Sequence, residues 1–370
     1  MLPDSFYGDY YNPNKLISID RMFTLSLGAR TIGKSTGFAC HDIDYYVSNK
    51  HKDSKPRNKF MYVRRNKDEL ADTIEDFISG PIDVFALNGM CPIKNWDYEK
   101  GTIVGKYYLD TGDGQGNVLA GYAIPLSLAH KTKSKNFSDV KNVFYDEMIP
   151  EDNRYLGGKA QPFLEHTRIM GLLNTIDRAP GKKGNANEVR FVGVGNIQDY
   201  MIPSVLELGA DKYLNPEAKL IKPDGKKYCI EQTLSVKATE KRYESDLYQL
   251  SNEFYKRYAF DGGTHDKSFI GKPTGTLKPL VNFIYLGETY GVYLCDNYCV
   301  YISHKKGNTP HNLALTLEDH SMNTLMIMAW RDSYAMTLLR EAYLRGQILF
   351  ESSRARFIVN QYMMYGGKKG

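Results

Sequence analysis

The chain has 370 residues, 42% hydrophobic and 25% charged, which excludes a disordered or fibrous protein and is enough to bury a sizeable core. Its net charge of +5 excludes a histone-like protein, so contact with nucleic acid would depend on local basic patches. The five cysteines lack metal-ligand spacing and no window holds about 18 uninterrupted apolar residues, so we expect a protein of the reducing cytosol without disulfides, structural zinc or a membrane span.

Six short runs of β-branched and aromatic residues predict strands in the first 200 residues. They cover residues 22–28, 59–65, 102–110, 118–127, 141–148 and 189–196. Helical patterns lie between them at 34–50, 67–79 and 161–177, and GDGQGN (112–117) is typical of a turn between two strands. Because nearly continuous apolar strands alternate with helices, the pattern predicts an α/β domain with a central parallel sheet over residues 1–210.

The character of the chain changes after residue 210. Residues 211–275 are polar and turn-rich around one mixed-charge helical stretch, which predicts a helical linker or lid region. In residues 276–370, the runs VNFIYLG, ETYGVYLCD and NYCVYISHK predict strands joined by turns, followed by a long helix from about 318 to 345. This part is therefore predicted to be a smaller α+β domain with mainly antiparallel strands.

The loop after the first strand satisfies the pattern G-x-x-x-x-G-K-[ST] with Gly28, Gly33, Lys34 and Ser35. Glycines let several backbone N–H groups face phosphate oxygens, Lys34 would reach the β- and γ-phosphates, and Ser35 would ligate Mg²⁺. The alternative is a structural glycine turn. The predicted nucleotide-binding residues are Gly28, Ala29, Arg30, Thr31, Ile32, Gly33, Lys34, Ser35 and Thr36.

The run KNVFYDEM predicts a buried strand that ends in two acids. Asp146 would hold Mg²⁺ and Glu147 would polarise the attacking water as general base. A surface strand end is the alternative. A glutamate directly after the metal-binding aspartate favours hydrolysis over phosphoryl transfer to another substrate.

Three further features have two interpretations each. Asn196, which ends the strand VRFVGVGN, would sense the γ-phosphate or form a strand-end turn. Arg178 would act in trans as an arginine finger or would cap the dipole of its own helix. Lys131, Lys133 and Lys135 form a solvated basic loop or contact DNA phosphates or a neighbouring nucleotide.

Several segments together resemble one protein family. YYNPNKLISIDRM, LGARTIGKS, FMYVRRNKDEL, GYAIPLS, NVFYDEMI and the strand ending GNI follow one another in the first 200 residues. In the order and the amino-acid sequence of these segments, the chain resembles the encapsidation (genome-packaging) ATPases of small phi-twenty-nine-like tailed phages. YVRR and GYAIPLS are the most discriminating, because the general P-loop pattern has no place for them.

The resemblance implies a RecA-like P-loop ATPase domain of the additional-strand class, in which a catalytic glutamate follows the metal-binding aspartate. Such proteins form a homo-oligomeric ring, expected to be a pentamer, on the procapsid portal (connector). The ring uses ATP and Mg²⁺ to translocate double-stranded DNA into the head, and some members need a packaging RNA. We therefore expect the protein in the host cytoplasm, transiently attached to the viral procapsid.

The resemblance also assigns roles to single residues. Asp146 matches the magnesium ligand and Glu147 the base, while Arg178 falls where the family places its trans-acting arginine. Lys133 aligns with a basic residue of the subunit interface. The loop after Arg178 is longer and richer in glycine and lysine than in the family, which leaves the identity of the finger residue open.

Basic residues at two other places also match the family. Arg30 corresponds to a basic residue early in the phosphate loop, which would touch the γ-phosphate in cis or report its loss to the subunit interface. A salt bridge to a nearby acid is the alternative. Lys67 matches a lysine on the DNA-facing side of the ring, and Lys131 and Lys135 are further predicted DNA contacts.

The carboxyl-terminal domain of this family resembles a degenerate RNase H-like nuclease of larger terminases. An active nuclease of that fold needs a carboxylate cluster for two metal ions, with its first acid on the first strand. The strand VNFIYLG has no acid, and Glu288 and Asp296 come later at turns, so we expect no cleavage. The expected role is docking or gripping, with these basic candidates: Lys305, Lys306, Arg354 and Arg356.

Two alternative functions stay open. One is a full terminase with an active carboxyl-terminal nuclease. The other is a nucleotide-gated structural ring that binds nucleic acid or portal without productive hydrolysis, against which Glu147 argues.

Overall fold

Two sheets organise the chain, one in each of two units. The computed structural model describes residues 1–30, 32–52, 57–150, 154–157, 163–177, 189–196, 202–213, 219–233, 237–251, 256, 269–285, 287–296, 299–315, 319–326 and 333–365. The first unit comprises Met1–Arg154, Glu165–Tyr200 and Tyr213–Thr264, and the second Tyr155–Leu164, Met201–Lys212 and His265–Gly370. No helix of the described ranges is long and apolar enough to cross a membrane.

The sheet of the first unit has nine strands in the order β3-β4-β5-β2-β6-β7-β1-β9-β8. They are β1 (Phe23–Gly28), β2 (Lys59–Arg64), β3 (Asn95–Glu99), β4 (Gly105–Asp110), β5 (Val118–Pro125), β6 (Val140–Tyr145), β7 (Arg190–Asn196), β8 (Leu220–Ile221) and β9 (Tyr228–Thr233). The six neighbours from β5 to β9 run parallel, whereas β3, β4 and β8 pair antiparallel at the edges. The predicted central parallel sheet is therefore confirmed.

Helices cover this sheet, which is why its inner strands are apolar on both faces. The described helices of this unit are α1 (Asn14–Ser18), α2 (Lys34–Asn49), α3 (Lys67–Thr73), α4 (Asp76–Leu87), α5 (Leu164–Ile176), α7 (Lys237–Tyr243) and α8 (Asp246–Leu250), whereas α6 (Pro203–Glu207) belongs to the second unit. On one face, Phe38 of α2 packs against Phe144 of β6, with ring centroids 5.9 Å apart.

Two predictions for the first unit were wrong. The single helix predicted over 67–79 is two helices, α3 and α4, and the hydroxyl of Thr73 donates to the carbonyl of Glu69 where α3 ends. Residues 220–233, predicted to lie in a helical linker, form strands β8 and β9, and β9 pairs in parallel with β1 along its whole length. The first unit therefore continues beyond residue 210.

The sheet of the second unit has six strands in the order β14-β13-β10-β11-β12-β15. They are β10 (Leu277–Tyr285), β11 (Glu288–Cys295), β12 (Val300–Ser303), β13 (Asn312–Ala314), β14 (Leu325–Met326) and β15 (Ile348–Phe350). The three predicted strands, β10 to β12, are antiparallel, but β13, β14 and β15 add parallel pairings that the sequence did not predict.

The long helix predicted from about 318 to 345 was wrong at its start. Leu325–Met326 is a strand, and the helix α9 is Tyr334–Leu344. The Ser333 hydroxyl accepts a hydrogen bond from the Met336 amide (3.3 Å) and so caps the helix at its true beginning. The helix α10 (Ser353–Tyr365) follows β15.

Gly28 and Gly171 provide a paired test of the packing in the first unit. A Cβ added to Gly28 would lie 1.9 Å from the Thr233 carbonyl oxygen, whereas one added to Gly171 in α5 would meet nothing within 4 Å. We expect Gly28→Ala to lower the free energy of unfolding by about 1–3 kcal/mol or more, because the strands must move apart. Gly171→Ala should raise it by about 0.5–1 kcal/mol. Urea denaturation measures both, and an unchanged Gly28→Ala variant would contradict the close pairing of β1 and β9.

Candidate functional site

The loop between β1 and α2 forms one side of a cavity of about 460 Å³. Gly33, the residue before α2, has a φ of +86°, a left-handed conformation that favours glycine. Backbone hydrogen bonds hold the loop at two points: the Ala29 amide donates to the Thr233 carbonyl (3.0 Å), and the Ile32 carbonyl accepts from the Tyr11 amide (2.9 Å). The loop is thus a preformed cradle at the amino terminus of a sixteen-residue helix.

Lys34 lies buried beneath this loop. Its ammonium group donates to the Ala29 carbonyl and to the side-chain oxygen of Asn196, the latter at 3.3 Å. Burial lowers the pKa of Lys34 to about 7, against the opposing effect of the nearby Asp146 carboxylate. A phosphate group in the cavity would give this amine a further anionic partner and so favour its charged form.

Asp146 follows β6 and faces Ser35 at the start of α2. The Ser35 hydroxyl donates to Asp146 Oδ1 at 2.6 Å, and Arg64 Nη1 lies 3.0 Å from Oδ2. Burial raises the pKa of Asp146, while Arg64 and Ser35 oppose that rise. A hydroxyl beside a carboxylate is an oxygen donor set that suits Mg²⁺, which usually takes few protein ligands and completes its shell with phosphate and water.

Glu147 adopts a left-handed backbone, with a φ of +50°. Its amide donates to Asp146 Oδ1 at 3.0 Å and its carbonyl accepts from Arg65 Nη2 at 3.1 Å. Its half-exposed carboxylate lines the cavity and contacts Arg64 Nη2 at 2.6 Å. A non-glycine residue in this conformation costs free energy by itself, so the surrounding contacts must hold it there.

Arg64 is the site residue that sequence reasoning missed. It ends β2, which pairs with β6, and its guanidinium joins Asp146 and Glu147 through separate nitrogens. The YVRR segment carried a signal that could have found it, because two arginines at the end of an apolar strand need buried carboxylate partners.

Arg65 holds the backbone of the turn that carries Asp146 and Glu147. It donates to the Met148 carbonyl (2.8 Å) and forms a buried ion pair with Glu165 of α5 (3.0 Å). The Tyr145 hydroxyl donates to the same carboxylate at 2.7 Å. The turn that carries Glu147 is therefore anchored both to β2 and to α5.

The structure brings most of the predicted site together but not all of it. Of the predicted nucleotide and metal residues, Arg30, Ile32, Gly33, Lys34, Ser35, Thr36, Asp146, Glu147 and Asn196 line the cavity. Thr31 and Arg178 lie outside the described residues. Lys67 is exposed at the start of α3, and Lys131, Lys133 and Lys135 are exposed around the end of a 3-10 turn (Leu126–Thr132), so these four do not line the cavity.

Comparisons with known proteins agree over nearly the whole chain. Residues 7–366 match the family model described as "Podovirus DNA encapsidation protein (Gp16)". A DNA packaging protein of Bacillus phage PZA is 26% identical over 364 residues, which cover 94% of this chain and 95% of that protein. Another, from Bacillus phage phi29, is 26% identical over 355 residues, with coverage of 94% and 95%.

A solved structure has the same fold. It is a chain of the bacteriophage Phi-29 viral genome packaging motor assembly, with a TM-score of 0.65, 24% identity and coverage of 96% of this chain and 99% of that chain.

Arg65 offers a test of the anchor. We expect Arg65→Met to lower the free energy of unfolding by about 3–5 kcal/mol, because it strips a buried carboxylate of its cation. The matched control is Arg345→Met, whose ion pair with Glu341 is 68% exposed on the arginine side; we expect a change below about 1 kcal/mol there. Chemical denaturation compares them, and equal losses in the two variants would contradict a special role for the buried pair.

Proposed function

The chain belongs to the Podovirus DNA encapsidation protein (Gp16) family, and we propose that it hydrolyses ATP to drive double-stranded DNA into a viral procapsid. One observation carries the ATPase proposal: a lysine and a hydroxyl at the start of one helix, and two acids and an asparagine at the ends of two parallel strands, surround a single cavity. Separate strands supply these groups, so a chance glycine turn does not account for them.

Each side chain has a role that its contacts support. Backbone amides of the loop and Lys34 would bind the phosphates, and Ser35 and Asp146 would hold Mg²⁺, which neutralises charge on the phosphates when bound. Glu147 would accept the proton of the attacking water. Arg64 is a positioning residue, because its two nitrogens fix the separation of the two carboxylates.

The strand order supports the additional-strand P-loop class. β7 lies between β1, which leads into the phosphate loop, and β6, which leads into the two acids. Its last residue, Asn196, accepts a hydrogen bond from Lys34, so it lies where a change at the γ-phosphate would reach it. We assign Asn196 as the residue that senses the γ-phosphate, and Arg30 as a second contact in cis.

The assembly proposed is a homo-oligomeric ring, with five subunits, on the portal of the procapsid in the host cytoplasm. The shared fold with a chain of a viral genome packaging motor assembly supports it. Arg178 and Lys133 would act across the subunit interface, and Lys67, Lys131 and Lys135 would contact DNA phosphates. Binding through phosphates predicts little sequence preference and strong salt dependence. A packaging RNA is a further proposed partner.

We propose that the second unit is a degenerate RNase H-like domain that docks or grips rather than cuts. The order β12-β11-β10-β13-β14, antiparallel and then parallel, supports that fold. Glu288, the first acid in its sheet, accepts hydrogen bonds from Arg354 Nε at 3.0 Å and from the Tyr290 hydroxyl. Arg354 also pairs with Glu207 at 2.7 Å. An arginine therefore occupies the carboxylate that a metal would need, and the same pairing makes Arg354 a poor candidate for gripping nucleic acid.

Glu147→Gln tests the ATPase proposal. We expect the variant to bind ATP like the wild type but to hydrolyse it about 10²–10⁴-fold more slowly, since glutamine cannot accept the proton. Steady-state phosphate release and equilibrium ATP binding give the two numbers, with the exposed Glu341→Gln as control. Robust hydrolysis by Glu147→Gln would remove the base assignment, and a wild-type protein that binds ATP without hydrolysing it would favour the structural-ring alternative.

A plasmid-nicking assay tests the second unit. We expect supercoiled plasmid to stay intact with Mn²⁺ and the wild-type protein, because Arg354 neutralises Glu288. Nicked or linear product would restore the full-terminase alternative.

A further inference from the structure

A second cavity, of about 650 Å³, lies between the amino-terminal segment and β9, the strand that pairs with β1. Asp146 and Glu147 belong to the opposite side, because β6 and β7 flank β1 there. Glu231 and Thr233 of β9 form one wall of this second cavity, and the segment around Tyr10 and Tyr11 forms another. The residues that line this cavity have no catalytic or ligand-binding role in the function proposed above.

The wall made by the amino-terminal segment is fixed in place. The Tyr11 hydroxyl donates to Glu231 Oε2 at 2.5 Å and accepts from the Ser26 hydroxyl at 3.1 Å. The Tyr11 amide donates to the Ile32 carbonyl in the phosphate loop. Residue 10 is consequently held beside the loop by its neighbour in sequence.

Tyr10 itself is an exposed aromatic residue next to the loop. The residue is 61% exposed, although its Cβ and Cδ1 lie 3.3 and 3.4 Å from where a Cβ on Gly33 would be. Gly33 directly precedes Lys34, the residue that would reach the β- and γ-phosphates. The ring therefore stands at the edge of the phosphate site with an open face, and it lines the second cavity.

The direction of a bound nucleotide follows from the positions of the acids. If the γ-phosphate points to Asp146 and Glu147, the nucleoside must leave the loop on the other side, toward β9. We propose that the cavity between Tyr10 and β9 receives the nucleoside and that the Tyr10 ring is the stacking surface for its purine base. This proposal rests on the proposed function, since it concerns the other end of the same nucleotide.

The test separates the base from the phosphates by using ATP and inorganic tripolyphosphate as probes. Stacking of a base on an aromatic ring contributes binding free energy, so Tyr10→Ala should weaken ATP binding by about 5- to 100-fold. Tripolyphosphate binding should change less than about twofold, because the loop and Lys34 stay intact. Tyr10→Phe keeps the ring and should bind ATP like the wild type.

The control is Tyr334→Ala, which removes a tyrosine of similar exposure, 74%, from the second unit and should leave both affinities unchanged. Isothermal titration calorimetry with Mg²⁺ measures all the affinities, and thermal melting checks that each variant is folded.

Two results would overturn the proposal while leaving the ATPase proposal intact. Unchanged ATP affinity in Tyr10→Ala would show that the base does not use this ring. Equal weakening of ATP and tripolyphosphate would show that Tyr10 only shapes the loop. A wild-type protein that binds neither probe would instead remove the proposed function and the stacking site together.

Discussion

The site depends on two adjacent arginines at the end of β2, which bind different parts of the turn that carries Asp146 and Glu147. Arg64 binds the side chains of Asp146 and Glu147, whereas Arg65 binds the backbone of that turn and Glu165. Charges this deeply buried are stable only when their partners are fully placed. The contacts of the two arginines therefore restrict the conformation of the turn. This restriction explains how Glu147 keeps a left-handed backbone conformation that costs free energy by itself.

Parallel strand order turns this local arrangement into a site. The carboxyl ends of parallel strands meet at one edge of a sheet, so the ends of β1, β2, β6 and β7 bring the loop, the arginines, the acids and Asn196 together there. The antiparallel strands stay at the margins of the sheet. On the far side, β9 closes against Gly28 and forms the wall on which the proposed nucleoside cavity is built.

Local signals let the sequence predict the core of this site but not its surroundings. The glycines, Lys34 and the Asp146–Glu147 pair lie in short patterns, and the apolar strands around them are continuous enough to recognise. Arg64 and Tyr10 gain meaning only from partners far along the chain, across strand pairing that the sequence does not reveal. β9 was missed because a six-residue strand after a turn-rich stretch has too few apolar positions, and the helix from 318 was placed too early because its apparent period began before the Ser333 cap.

The electrostatics of the cavity tie nucleotide binding to protonation. Burial shifts Lys34 and Asp146 in opposite pKa directions, and for both it favours the uncharged form. With the pKa of Lys34 lowered to about 7, the unfolded chain holds this proton more tightly than the folded one, so this residue's contribution to stability grows as the pH rises from about 7 toward its ordinary value. Phosphate favours the charged lysine and a cation favours the charged aspartate. A nucleotide with its metal thus opposes the effect of burial on the pKa of both residues at once, whereas either component alone opposes only one.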